Sequence, residues 1–210
     1  MSSVIAELNH RVKNVLAVIQ SIVTRTMRPG ADVEQARELL IGRIHAMSHV
    51  ISLLSDSHWQ GARLKTLMAS RAIPHADRIT ATGPDIVVSA RAAQSLCLLF
   101  FELATQANAS VSEGGELHVA VHWAVTGKGQ NELFYLKWEE QNVSAATRQK
   151  DSDFGTILLD RVVPEALGGT SKRYFTDATY VFEISAPMRT VVDKTEMDRT
   201  GRLTGMLPPP

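Results

Sequence analysis

The sequence predicts an α+β protein: an N-terminal helical hairpin that pairs into a dimeric four-helix bundle, followed by an α/β sandwich. Three observations carry this prediction. Up to Leu54, apolar residues recur three and four apart, the period of helices that pack in bundles. Beyond Gly115, apolar residues alternate with polar or small ones, the period of a half-buried sheet. A chain of 210 residues with 44% hydrophobic side chains is long enough to bury a core in one or two domains.

The first helix is predicted from about Ser3 to Thr26, on the seam Ile5, Leu8, Val12, Val15, Ile19 and Ile22. Pro29-Gly30 ends it. Asp32 then offers an N-cap oxygen, with Gln35 placed to return the bond as in a capping box. The second helix reaches about Leu54, with Ala36, Leu40, Ile44, Met47, Ile51 and Leu54 on one stripe. Helices joined by so short a turn form an antiparallel hairpin. Val4, Val18, Leu39, Val50 and Leu53 widen the apolar surface beyond what two helices cover, so a second copy is expected to complete the bundle.

After Trp59 the pattern changes. Short strands are predicted at Arg78–Thr82 and Ile86–Val88, on either side of Gly83-Pro84. Ser89 caps a helix from about Ala90 to Ala109. Gly114-Gly115 opens a strand with Leu117, Val119, Val121, Trp123 and Val125 on one face. Gly127-Lys128-Gly129 turns the chain into a hairpin with Glu132–Glu139. A helix from about Phe154 to Leu167 stops at Gly168-Gly169, and strands Ser171–Phe175 and Tyr180–Ala186 follow. This order gives a mixed sheet with helices on one face. Trp59 and Trp138 are assigned to core edges. From Met188 the chain is polar, aperiodic and ends Pro208-Pro209-Pro210, the composition of a disordered tail. The expected domains are therefore 1–70, 71–188 and 189–210.

Charge and composition exclude several function classes. The 22 basic and 22 acidic side chains cancel, which leaves no basic surface for general nucleic-acid binding. The single cysteine, Cys97, excludes a disulfide framework and lies in the apolar run Leu96–Phe101, where a buried thiol is expected. No apolar stretch reaches the ~18–20 residues of a membrane span, and the N-terminus has no signal-peptide pattern, so a cytoplasmic protein without membrane contact is expected. His45 and His49 share a helix face but have no HExxH or cysteine partner, and no metal site is assigned.

His10 is the sharpest candidate for chemistry. At about 100° per residue the apolar seam of the first helix centres nearly opposite it, which turns the imidazole toward water. Glu7, Lys13 and Asn14 fall on the same outer half. An exposed imidazole near pH 7 is substantially neutral, and a carboxylate one turn away can orient it or take its proton. The same spacing also suits an ordinary helix-surface histidine.

The wording of the segment decides between them. Glu7-Leu8-Asn9-His10-Arg11-Val12-Lys13-Asn14-Val15-Leu16-Ala17 closely resembles the phosphoacceptor box of the HWE and related HisKA_2-type sensor histidine kinases. Gly42-Arg43-Ile44-His45-Ala46-Met47 and the stretch from Ser57 to Leu64 resemble the family's second helix and its exit. Phe101-Glu102-Leu103-Ala104-Thr105-Gln106-Ala107 is similar to its N box, and Trp138-Glu139-Glu140 to its tryptophan-x-glutamate. Phe154-Gly155-Thr156-Ile157-Leu158-Leu159 with Leu167-Gly168-Gly169 resembles its last helix. The likeness runs from about Val4 to Pro187. It implies a dimerisation and histidine-phosphotransfer hairpin, a GHKL-type ATP-binding domain, and His10 as phosphoacceptor. Glu102, Gln106, Glu140 and Gly155 are implied as nucleotide-binding positions.

Departures cluster at the nucleotide positions. The family's N box begins with histidine and carries asparagine where this chain has Phe101 and Gln106. That asparagine holds nucleotide-bound Mg²⁺, which tolerates little displacement of its oxygen ligands. Two glycines and a proline after the tryptophan-x-glutamate are replaced by Asn142-Val143-Ser144, and the glycine-rich approach to the last helix is reduced to Asp153-Phe154-Gly155. An intact phosphoacceptor beside an altered pocket, with the chain starting just before its helix, leads to the expectation of a histidine phosphotransferase. In that role His10 carries a phosphoryl group between response-regulator receiver aspartates, with Glu7 orienting the ring and Lys13 and Asn14 contacting phosphoryl oxygens. Such a protein needs no cofactor of its own and has receiver domains, a second copy and an upstream hybrid histidine kinase as partners. The alternatives are an active autokinase using ATP and Mg²⁺, and a silent module that binds receivers or kinases.

Overall fold

The computed structural model describes residues 2–110, 118–143, 148, 152–176 and 178–192; the side chains of 2–5, 7, 8, 10, 11 and 153 lie outside this description. The predicted start of the strand at Gly114–Leu117 and the tail beyond Val192 therefore lie outside the described residues. The chain divides into two compact units between His45 and Ala46.

In the first unit, helix α1 runs Ser2–Thr26 and helix α2 begins at Val33, continuing to Asp56. Asp32 caps α2 as expected, its Oδ1 accepting from the Gln35 N–H at 2.8 Å. Ile22, Thr26, Ala36 and Arg43 are buried. Of the predicted α1 seam, Ile22 is buried, Val15 and Ile19 are half-buried and Val12 is 48% exposed; off the seam, Leu16 (52%), Val23 and, just past the helix, Met27 are exposed as well. Burial of Arg43 was not visible in the apolar pattern. Its Nη1 donates to Thr26 Oγ1 at 2.6 Å, and Thr26 donates in turn to the Ile22 carbonyl at 2.6 Å.

The second unit opens with the buried end of α2, where Ala46, Met47, Val50 and Leu54 are covered. Strand β1 (Ala62–Arg63) and helix α3 (Leu64–Met68), both absent from the sequence reading, follow. β1 pairs antiparallel with β3 (Val87–Val88), whereas β2 (Ile79–Thr82) joins the main sheet; Arg78 belongs to a 3-10 turn, Ala76–Arg78. The strands flanking Gly83-Pro84 thus lie in different sheets. Gly83 is required at that crossing, because a Cβ there would stand 2.4 Å from the Trp123 ring. Trp123 Nε1 donates to the Pro84 carbonyl at 2.8 Å.

The main sheet has the order β2-β4-β5-β7-β6, with β4 at Val119–Thr126, β5 at Leu133–Gln141, β6 at Thr170–Thr176 and β7 at Thr179–Pro187. β2 runs parallel to β4, and the remaining neighbours are antiparallel. Helix α4, Ala90–Ala109, starts where Ser89 Oγ accepts from the Ala92 N–H at 3.3 Å, and most of its residues are buried. Phe100, Trp123, Phe134, Trp138 and Phe182 fill the core. Trp138 is fully buried, so its assignment to a core edge is corrected: its ring lies on the inward face of a central strand.

The predicted helix after Ser152 is broken into α5 (Asp153–Ile157), a π turn (Leu158–Val162) and α6 (Val163–Leu167). Pro164 has no N–H for the helical ladder, and the Val163 N–H reaches back to the Leu158 carbonyl. Gly168 closes α6 in the left-handed conformation, φ +63°. The packed domain also passes the expected end at Met188. Helix α7 (Met188–Val191) buries Val191, whose carbonyl accepts from the Ser89 N–H at 2.8 Å.

Candidate functional site

The residues singled out from sequence fall into two groups, one on α1 and one in the sheet unit. Glu7, His10, Lys13 and Asn14 lie within one unbroken stretch of α1, with Glu7 one helical turn before His10. Lys13 and Asn14 are exposed, while the side chains of Glu7 and His10 lie outside the described residues. Farther along, Gln20, Ser21, Thr24 and Arg25 of α1, with Arg28 just beyond its end, line a basic groove.

In the sheet unit, α4 carries Glu102 and Gln106 one turn apart. Both are buried, Glu102 at 1% and Gln106 at 7% exposure. Buried acids and amides need partners, since an unsatisfied one costs about 1–3 kcal/mol. Gln106 Oε1 has no hydrogen-bond partner among the described residues. A carboxylate and a free amide oxygen on one helix face are the hard donors that Mg²⁺ takes. At this end the side chains present fit a nucleotide-bound cation, and the extra methylene of Gln106 has not removed the oxygen.

Glu140 tells a different story. Alternation along β5 puts Trp138 and Glu140 on the same inward face, and Trp138 Nε1 donates to Glu140 Oε1 at 3.1 Å. Arg148 supplies further donors: Nε to Oε2 at 2.9 Å and Nη2 to Oε1 at 3.3 Å. The two side chains are 4% and 1% exposed. The guanidinium carbon lies 3.6 Å from the centre of the Tyr180 ring. Sequence reasoning missed Arg148, because a basic residue eight positions after an acid carries no periodic signal. Between them, Asn142 takes φ +59° and Val143 is buried. Asparagine tolerates that left-handed conformation, so replacing glycine there does not prevent the turn.

Gly155 sits near the start of α5, and its N–H is taken by Ser152 Oγ at 3.0 Å. Ser152 is thus the N-cap, a role the sequence reading did not assign.

Along the chain, helices are followed by a mixed sheet backed by helices, with buried polar groups on α4 and β5. The Erythrobacter litoralis blue-light activated histidine kinase shares the fold, with a TM-score of 0.58 at 20% identity over 87% of this chain and 58% of that one. Residues 7–85 match the HWE histidine kinase family. The blue-light-activated histidine kinases of Brucella ovis and Brucella anthropi are each 31% identical over 189 residues, 87% of this chain. The chain is thus similar to the HWE histidine kinases, and its α/β sandwich has a GHKL-like fold. It spans 38% of the length of these curated relatives. The likenesses are to kinases, which puts the autokinase alternative ahead of the phosphotransferase expected from the altered pocket. Among the described residues, no helix is long and apolar enough to cross a membrane.

Proposed function

We propose that the chain is the catalytic core of a two-component histidine kinase, which phosphorylates His10 from ATP and passes the phosphoryl group to a response-regulator aspartate. The observation that carries this reading is the α4 pair: a buried Glu102 one turn from a buried Gln106 whose Oε1 lacks a hydrogen bond among the described residues. An amide oxygen left bare costs the domain stability, and a bound cation would satisfy it.

Mg²⁺-bound ATP supplies the γ-phosphoryl group. Glu102 and Gln106 would hold the cation that accompanies the nucleotide and would neutralise phosphate charge there. A ring nitrogen of His10 attacks the γ phosphorus, an N–P bond forms, the bond to the bridging oxygen breaks, and ADP leaves. Glu7, one turn earlier, orients the ring and takes its proton, while Lys13 and Asn14 meet the phosphoryl oxygens. The groove at Arg25 and Arg28 suits an acidic receiver domain. The exposed stripe Val12, Leu16, Val23 and Met27 suits a second copy of α1.

The phosphotransferase reading is kept second because one observation favours it: Arg148 already occupies Glu140. In that case an upstream hybrid kinase charges a receiver that then charges His10. The two readings separate by donor. Labelled ATP with Mg²⁺, or a labelled phosphoreceiver, is offered to wild type and His10→Ala. Label from ATP that depends on His10 supports the kinase; label from the receiver alone supports the phosphotransferase; label from neither leaves the silent binding module.

A further inference from the structure

We propose that the sheet unit carries a self-association surface of its own: the open edge of β6, which pairs antiparallel with β6 of a second copy about a two-fold axis at Arg173. This surface is separate from the α1 stripe, which belongs to the other unit.

Among the described residues, β6 has a neighbour on one side only, because the sheet order ends with β7 and β6. An edge strand presents a row of backbone N–H and C=O groups that another strand can take up. Proteins block such edges with proline, bulges, very short strands or outward charges. β6 is seven residues long, contains no proline, and meets β7 residue for residue from Thr170↔Ser185 to Thr176↔Thr179, without a bulge. Its two basic side chains are neutralised within their own domain. Lys172 Nζ lies 2.7 Å from Glu183 Oε2, and Arg173 Nη2 lies 2.7 Å from Asp160 Oδ2. Tyr174 and Phe175, on opposite faces of the strand, are 36% and 40% exposed.

The order of residues along β6 says what covers it. In an antiparallel pair centred on Arg173, Thr170 faces the partner's Thr176, Ser171 faces the partner's Phe175 and Lys172 faces the partner's Tyr174. By symmetry each of these pairs forms twice. Thr–Thr and cation–aromatic pairs are among the favourable cross-strand contacts. Lys172 is 68% exposed while it holds Glu183, and its Nζ is 5.5 Å from the centre of its own Tyr174 ring, so it can meet a second ring without leaving the carboxylate. Ser171 is small, which leaves room for a phenylalanine ring opposite. The one like-charge meeting is Arg173 with its own copy, and each guanidinium has Asp160 beside it.

Register supports the same choice. Backbone groups that point off the edge recur at every second residue, and this register sets them opposite one another so that a ladder can close. A slip by one residue breaks that match. A slip by two either sets Lys172 against itself or moves it from Tyr174 to Thr176. The two-fold contact is self-complementary and joins two copies and no more.

The test is site-directed cross-linking of the full chain with a short bifunctional maleimide, using Arg173→Cys and Thr176→Cys. The native Cys97 is buried and stays silent. In the proposed register position 173 faces itself, whereas the two copies of position 176 stand about 20 Å apart. Arg173→Cys is therefore expected to form a covalent dimer and Thr176→Cys to form little. Adding Tyr174→Lys to Arg173→Cys puts a lysine opposite Lys172 twice while keeping a donor beside Glu183. With the fold verified by circular dichroism, it should slow cross-linking about five-fold or more. Cross-linking of Arg173→Cys no faster than that of Thr176→Cys would overturn the proposal and leave the edge to an extended segment of another protein. A rate unchanged by Tyr174→Lys in the folded chain would overturn it as well.

Discussion

Arg43 and Thr26 join the two helices of the N-terminal unit through a buried hydrogen bond of 2.6 Å, with Thr26 donating onward to the Ile22 carbonyl. The guanidinium is 1% exposed, and Thr26 supplies one of the acceptors that make its burial tolerable. Thr26→Val keeps the shape but deletes that acceptor. We expect a loss of about 1–3 kcal/mol in urea unfolding. A loss below about 0.5 kcal/mol, the range of an ordinary surface change, would show that the contact is incidental.

The stripe of Val12, Leu16, Val23 and Met27 leaves apolar surface uncovered in a single chain. If a second copy covers it, Leu16→Glu should convert a dimer into a monomer in sedimentation analysis, because a carboxylate would be buried without a partner. Wild type sedimenting as a monomer would remove the four-helix bundle from the account.

Glu183, nearly buried on β7, accepts from Tyr174 at 2.9 Å and pairs with Lys172 at 2.7 Å. Burial alone would raise its pKa, but hydrogen bonds from Lys172, Tyr135 and Tyr174 outweigh that, and the net direction is below the ordinary value of 4.5. A depressed folded pKa stabilises the fold above the unfolded value, and this contribution fades as pH falls through the folded one. Unfolding midpoints followed from about pH 6 to pH 3 should therefore drop more steeply for wild type than for Glu183→Gln. Parallel curves would mean that the cluster contributes nothing to acid stability.

Much of the fold was legible because its signals are local. The Asp32 and Ser89 caps, the alternation of β4 and β5 and the glycine stop at Gly168 each act within a few residues. What was missed depends on distant partners. The β1–β3 ladder needs Ala62 to meet Val88, and neither is long enough to show a period. Burial of Arg43 depends on Thr26, and burial of Trp138 depends on the layers around a central strand. At the site, α4 was placed from sequence with Glu102 and Gln106 on it, yet an exposed acid and a buried one have the same spelling. Arg148 is a tertiary fact: only the fold brings it onto Glu140 and Tyr180.

The measurement that tests the central claim most directly is peptide mapping of the chain after incubation with γ-labelled ATP and Mg²⁺. The account predicts acid-labile label confined to the peptide containing His10 and abolished by His10→Ala. Label on another residue, or no label on folded wild type that binds the nucleotide, would contradict it.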